Sequence, residues 1–170
     1  MNVFDSVRFR RSIRRYKPQP VENEKLNRVL EAGRLAPSAA NRQPCHFIVV
    51  TDQSLREALR ASYNQSWFVN APVILVVCAK TDTAWVRRDG EEYWKVDGAI
   101  ALQNMVLCAT EEGLGTCWIA AFSEEPARRI LNLPQNVRIV AMTPLGYPDE
   151  TKGAVTDRKP LDEMIHHDHW

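Results

Sequence analysis

Four arginines fall within seven residues, in the stretch RRSIRRY from Arg10 to Tyr16. A guanidinium is planar and donates two hydrogen bonds at once. Arginines gathered around the Ser12 hydroxyl therefore suit an anion with several oxygens, phosphate above all. Side chains alternate along an extended segment, so only a subset of Arg10, Arg11, Arg14 and Arg15 converges and the rest face water. A solvated basic loop paired with surface carboxylates is the other reading.

Three further stretches carry polar or closely approachable groups. In APSAANRQPCHF (Ala36–Phe47), Ser38, Asn41, Arg42 and Gln43 are framed by Pro37 and Pro44. A rigid polar loop of this kind can read the donor and acceptor edge of a planar ring, or it is a connecting turn with local caps. In GLGTCWIAAF (Gly113–Phe122), small residues let the backbone approach a flat ligand; otherwise the stretch is a helix cap, a buried strand and a linker. In DRKPLDEM (Asp157–Met164), Arg158 and Lys159 can close over a phosphate. The tail HHDHW holds His166, His167 and His169, but no second ligand cluster supports a metal, and a frayed terminus is the simpler account.

Several chemistries are excluded. There is no GxSxG, no HExxH, no Cys–His nucleophile pair, no P-loop and no GxGxxG; EGLGTCW resembles the last only superficially. No side chain stands out as a protein-supplied acid, base or nucleophile, so the hard chemistry of an enzyme here belongs to a cofactor.

The positioning elements follow from composition and period. The chain has 170 residues, 45% of them hydrophobic, and a formal net charge of +1. That describes one domain over residues 1–170, with no broad basic face for nucleic acid. No apolar run reaches the roughly 18–20 residues of a membrane span. The start, MNVFDSVRFRRS, lacks a signal-peptide pattern. Cys45, Cys78, Cys108 and Cys117 have no CxxC spacing and read as buried free thiols of a cytoplasmic protein.

Leu26, Val29, Leu30 and Gly33 form a helical stripe, stapled by Val21 and ended by Pro37. His46–Val50 and Val73–Ala79 read as strands, and TDQSLREALRAS as a helix capped by Thr51 or Asp52. The longest helix runs from about Tyr93 to Glu112. Apolar residues cover more than half its circumference, so burial on most sides is expected. A strand and loop, a short helix capped by Ser123 and a last strand over VRIVAMTPLGYP follow. From Pro148 apolar content falls, as in an extended arm. The alternation predicts a layered α/β or α+β fold.

Taken together, RRSIRRYKPQPV, AGRLAPSAANRQPCHFIVV, DGAIALQNMVLCATEEGLGTCWIAAF and RKPL closely resemble, in order and spacing, the FMN-dependent nitroreductase family, from about residue 4 to 162. The resemblance implies an α+β fold with a mixed, mostly antiparallel sheet flanked by helices. It implies an intertwined homodimer in which the C-terminal arm, residues 147–170, wraps the partner. One FMN is expected in each of two interface sites. By position, Arg10, Ser12 and Arg14 resemble the phosphate and ribityl contacts, with Arg11 contributing and Arg158 reaching the phosphate from the arm. Pro37, Ser38 and Ala39 resemble the partner-subunit loop against the flavin. Asn41 and Gln43 resemble polar contacts near the ring or ribityl chain. Ile119, Ala120 and Ala121 resemble the backbone beside the ring. Arg15 and Arg42 are expected in surface or dimer salt bridges, and the long helix at the dimer centre.

The implied activity is a ping-pong hydride transfer through flavin N5, from NAD(P)H to a nitroaromatic, quinone or related small acceptor. A specialised member acting on a defined metabolite, or a flavin-binding redox module with little turnover, are the alternatives. The segment between Lys80 and Tyr93 is short for the family. It leaves the flavin open or roofed by Trp67 or Trp85.

Overall fold

Periodic apolar residues become four strands and six helices in the computed structural model, which describes residues 2–153 and 155–170. Helix α1 (Val3–Phe9) opens on a capping box. The Asn2 side chain accepts the Asp5 amide at 2.9 Å, and Asp5 reaches back to the Asn2 amide. Helix α2 (Asn23–Arg34) buries Val29 and Gly33 and stops before Pro37. Strand β1 (Cys45–Val50) leads to α3 (Gln53–Ala58), whose N-cap is Asp52, accepting from the Leu55 amide at 2.9 Å. The one-turn helix α4 (Ser66–Val69) is absent from the sequence reading because four residues show no period. Then come β2 (Val73–Lys80), α5 (Trp94–Glu111), β3 (Gly115–Thr116), α6 (Glu124–Ile130) and β4 (Val137–Gly146).

The strands form one sheet in the order β1-β2-β4-β3, each neighbouring pair antiparallel. A parallel bridge from Ser12 to Thr116 extends the β3 edge, which makes the sheet mixed and mostly antiparallel, as expected. β2 is central and buried from Val73 through Ala79. Strand side chains alternate between faces, so a continuous apolar run means both faces are covered. Val73, Leu75 and Val77 meet Val29, Leu102, Met105 and Ala141 under α2 and α5. Ile74, Val76 and Cys78 meet Leu59, Phe68 and Met142 on the α4 and α6 side. Each such side chain contributes about 1.5–3 kcal/mol when fully buried.

α5 lies close on β4 because Gly98 has no side chain; a Cβ there would stand 2.5 Å from Val140 Cγ2. Within the chain α5 is buried or half-buried around most of its circumference, with one exposed stripe. Asp97, Gly98, Ala101, Leu102, Met105, Val106 and Ala109 face inward. Val96 keeps 42% and Ile100 36% of its surface exposed. The far end of α5 is tied to α2, where Arg28 pairs with Glu112 at 2.9 Å and Lys25 Nζ donates to the Glu112 carbonyl at 3.0 Å.

Candidate functional site

RRSIRRY runs extended along the edge of the sheet. The Ile13 amide donates to the Thr116 carbonyl at 2.8 Å, and Ile13 is buried against Gly115. On its other side the segment meets the start of the C-terminal arm. The Asp149 amide donates to the Arg15 carbonyl at 2.9 Å, the Lys17 amide to the Tyr147 carbonyl at 2.9 Å, and the Arg14 amide to the Glu150 carboxylate at 2.5 Å. Lys152 donates to the Ser12 carbonyl and Arg11 to the Gly153 carbonyl. The Tyr16 hydroxyl donates to the Ile13 carbonyl at 2.6 Å, and burial drives its pKa well above the usual range.

This clamp decides which arginines are free. Arg11 and Ile13 line a cleft of about 290 Å³ with Thr110, Leu114 and Lys152, below the end of α5. Arg14 is on the opposite side, its guanidinium 5.8 Å from the centre of the Trp67 ring. Strand alternation places Arg10 and Ser12 with Arg14. Arg15 pairs with Asp149 at 4.0 Å, the surface bridge expected of it. Among the described residues no carboxylate neutralises Arg10 or Arg14, so the cluster is not accounted for by surface ion pairs.

The second group is the loop after α2. Gln43 donates its amide to Ser38 Oγ at 2.8 Å and its side-chain amide to the Asn41 carbonyl at 3.2 Å. Ala40, Asn41 and Gln43 have φ of 50°, 53° and 51°. Left-handed backbone in residues other than glycine costs on the order of 1 kcal/mol or more at each position, and it persists only where the surroundings impose it. Against this loop stands Asp97, on the first turn of α5. Asp97 is 2% exposed, and one carboxylate oxygen accepts the Ala39 amide at 2.8 Å. Its other oxygen, Oδ2, has no hydrogen-bond partner. Asp97 lines a cavity of about 160 Å³ with Pro37, Ser38, Gln43, Cys45 and Phe47. Burial first, and then the Asp97 charge, push the Cys45 thiol up to about 11. Burial also pushes Cys78 up to about 12, and all four cysteines are free thiols.

The two groups stand at opposite ends of α5. Asp97 holds the Pro37–Gln43 loop at the start of the helix, whereas Thr110 lies beside Arg11 and Ile13 at its end. Thirteen residues of helix at 1.5 Å each separate them by about 20 Å. Ile119 goes with the arginine group. It is buried, bridges to Met142, and belongs to the core cluster against which Trp67 packs; Ala120 and Ala121 beside it are exposed. Trp85 goes with the other group, edge-on to Tyr93 at 4.9 Å immediately before α5. Arg158 is brought to neither: it is exposed and bonds Asp157 at 3.2 Å. From Thr156 onward every residue is exposed.

Three residues escaped the sequence reading. Glu150 and Lys152, 3.4 Å apart, sat in a stretch that read only as a polar arm. Asp97 had a usable signal, a carboxylate one turn before Ala101 on the apolar stripe of the long helix. Among the described residues no group of three or more His, Cys, Asp or Glu is placed to hold a metal ion. His166 instead stacks on Trp170 with ring centres 4.6 Å apart. No helix among them is long and apolar enough to cross a membrane.

Comparison with known proteins extends this picture. The model of the nitroreductase family matches residues 7–64 and 58–147. An NADH dehydrogenase of Thermus thermophilus is 34% identical, the match covering 92% of this chain and 91% of that protein. The crystal structure of a nitroreductase family protein from Clostridium difficile 630 superposes with a TM-score of 0.93 at 31% identity, covering 100% of both chains. An FMN-dependent nitroreductase from Clostridium difficile R20291 superposes with a TM-score of 0.82 at 31% identity, covering 95% of this chain and 96% of that one.

Proposed function

The chain belongs to the nitroreductase family, and from that premise we propose that it is an FMN-dependent enzyme that uses NAD(P)H to reduce nitroaromatics, quinones or related small acceptors in two alternating half-reactions. The observation that carries the reading is the pair of unneutralised guanidinia, Arg10 and Arg14, held on a clamped strand beside Ser12. They fit the phosphate of FMN, which carries up to two negative charges and oxygens for forked donors. The strained polar loop tied to Asp97 fits a second contact surface, where Ser38, Asn41 and Gln43 present polar groups to a ligand edge.

Bound FMN supplies the two-electron chemistry. The chain binds and orients. Arg10, Ser12 and Arg14 hold the phosphate and ribityl end, with Arg11 contributing. The backbone of Ile119, Ala120 and Ala121 lies beside the ring. Pro37, Ser38 and Ala39, with Asn41 and Gln43, contribute from a second copy of the chain. Distance supports that last assignment: the loop and the arginine segment lie beside opposite ends of α5, about 20 Å of helix apart, and two copies related by a two-fold axis would bring unlike ends together. Val96 and Ile100 on α5, and the apolar residues of α1 and the arm, supply surface for such a homodimer. Among them Val3, Phe4, Leu161, Met164 and Trp170 are the most exposed. Arg158 then reaches a phosphate from the arm. Trp67, beside Arg14, or Trp85, beside the start of α5, would roof the ring.

The test is the visible spectrum of the purified protein before and after anaerobic NADH and NADPH. A flavin spectrum that bleaches is expected. A flavin that stays oxidised with both reductants indicates a binding module with little turnover. A colourless protein that takes up no added FMN overturns the proposal.

A further inference from the structure

Local rules of folding are broken at one place more than any other in this chain. Three residues other than glycine within four positions, Ala40, Asn41 and Gln43, take left-handed backbone. Asp97, a carboxylate 2% exposed, stands against the same loop with one oxygen unpartnered. Such violations concentrate where a structure is held ready for a ligand.

We propose that Asp97 is the positioning residue of the flavin site: its Oδ1 fixes the Ala39 amide at 2.8 Å and thereby holds Ser38, Asn41 and Gln43 in the conformation that meets the ring or ribityl chain. The inference rests on the FMN reading for its ligand and on geometry for its anchor. The Asp97 contact ties the middle of the loop to α5, whereas the Lys80 amide holds only its end, at the Pro44 carbonyl. The bonds within the loop, Gln43 to Ser38 and to Asn41, the Asn41 amide to the Ser38 carbonyl and the Arg42 amide to the Ala39 carbonyl, are local and move with it. The anchor itself is rigid. α5 is seated on β4 through Gly98, the next residue, with no room for a Cβ. The carboxylate lies in the first turn of an 18-residue helix, where the aligned peptide dipoles favour negative charge. Asp97 lines the cavity together with Ser38 and Gln43. A role confined to Oδ1 makes a clear demand: asparagine, which keeps one acceptor oxygen and turns its amide nitrogen to the cavity, is a working substitute, and alanine is not.

The experiment compares wild type, Asp97→Asn and Asp97→Ala as full-length apoprotein. Amide hydrogen exchange is read at Ala39 and at Val77 in mid-sheet, and FMN affinity by flavin fluorescence. In Asp97→Ala, Ala39 exchange rises at least about tenfold, Val77 stays within about twofold, and the FMN Kd rises at least about tenfold. Asp97→Asn stays within about threefold of wild type in all three. Ala39 and Val77 exchange rising together would show a merely structural role and overturn the proposal. So would unchanged Ala39 exchange in the alanine variant, an unchanged FMN Kd despite a loosened loop, or an asparagine variant that behaves as alanine does. Wild type that binds no FMN sinks the FMN reading and, with it, the ligand assigned to the loop; the anchor is then judged by Ala39 exchange alone.

Discussion

The amide of Arg14 donates to the Glu150 carboxylate at 2.5 Å, joining positions 136 apart in the chain. Lys152 stands 3.4 Å from the same carboxylate and donates to the Ser12 carbonyl. The arginine segment is thus gripped by its backbone, between β3 on one edge and the first residues of the arm on the other. The guanidinia of Arg11 and Arg15 add to that grip through Gly153 and Asp149, which leaves Arg10 and Arg14 for a ligand.

The grip is sensitive to acid, and the sign can be worked out. Burial works to raise the Glu150 pKa, but the Arg14 amide and the Lys152 charge outweigh it and hold the carboxyl below the usual glutamate value. A folded-state pKa below the unfolded one gives stability that is present above the unfolded pKa and lost as pH falls through the folded one. Glu150→Gln is therefore expected to lower the Tm at neutral pH. Its Tm should converge on that of wild type below about pH 4, where both side chains are neutral. Calorimetric Tm between pH 3 and 7 checks this, and parallel curves over the whole range would remove the carboxylate from the clamp.

Arg10→Ala is expected to weaken FMN binding without unfolding the protein. Among the described residues the Arg10 side chain has no ion pair to lose, and a charge-assisted hydrogen bond to phosphate contributes about 1.5–3 kcal/mol. That corresponds to a Kd raised by roughly 10- to 150-fold. Titrating apoprotein with FMN at two salt concentrations checks both parts, since a lost phosphate contact also flattens the salt dependence. Unchanged affinity would count against the phosphate assignment.

Long, periodic or continuous features were legible in the sequence. The Leu26–Gly33 stripe gave α2, the unbroken run Val73–Ala79 gave the doubly covered central strand, and the 18-residue α5 differs from its expected bounds by one residue at each end. Short elements were not. α4 has four residues, too few to show a period, and of the strand and loop expected after Gly113 only Gly115 and Thr116 pair as β3. The polar loop at Ser38–Gln43 was visible as composition, but the strain in it was not, because nothing in Ala40 itself announces a positive φ. Asp97 was hidden by its company: within an apolar stripe a single carboxylate does not disturb the helical pattern, and its partner Ala39 is 58 positions away.

Gly98→Ala separates propensity from packing. Alanine in a helix interior is better than glycine by about 1 kcal/mol. Here the new Cβ would meet Val140 Cγ2 at 2.5 Å and Cγ1 at 2.9 Å, so α5 or the valine must shift. Overpacking of this kind costs typically 1–3 kcal/mol, and a net loss of about 1 kcal/mol is expected, read as a lower urea midpoint at unchanged slope. Val140→Ala in the same background should recover part of it by making room. A stabilised Gly98→Ala would show that α5 is not seated on β4 as closely as the structure has it.

The separation of the two site groups along α5 gives the sharpest consequence. If one FMN is held at its phosphate by Arg10 and Arg14 of one copy and near its ring by the Ser38 loop of another, FMN retention must depend on association. Ile100 tests this. It lies on the outward face of α5, 36% exposed within the chain, so a glutamate there leaves the core of each copy intact. Placed at a contact between identical surfaces, the same glutamate meets apolar side chains and its own symmetry mate, and a buried unpaired charge is costly enough to dissociate the copies. Ile100→Glu is therefore expected to sediment as a folded monomer and to carry no flavin, at concentrations where wild type is a yellow dimer. Light scattering in line with flavin absorbance reads mass and cofactor together. A monomeric variant that keeps its FMN would mean that one copy closes the site by itself, and the second surface at Ser38–Gln43 would need a different ligand.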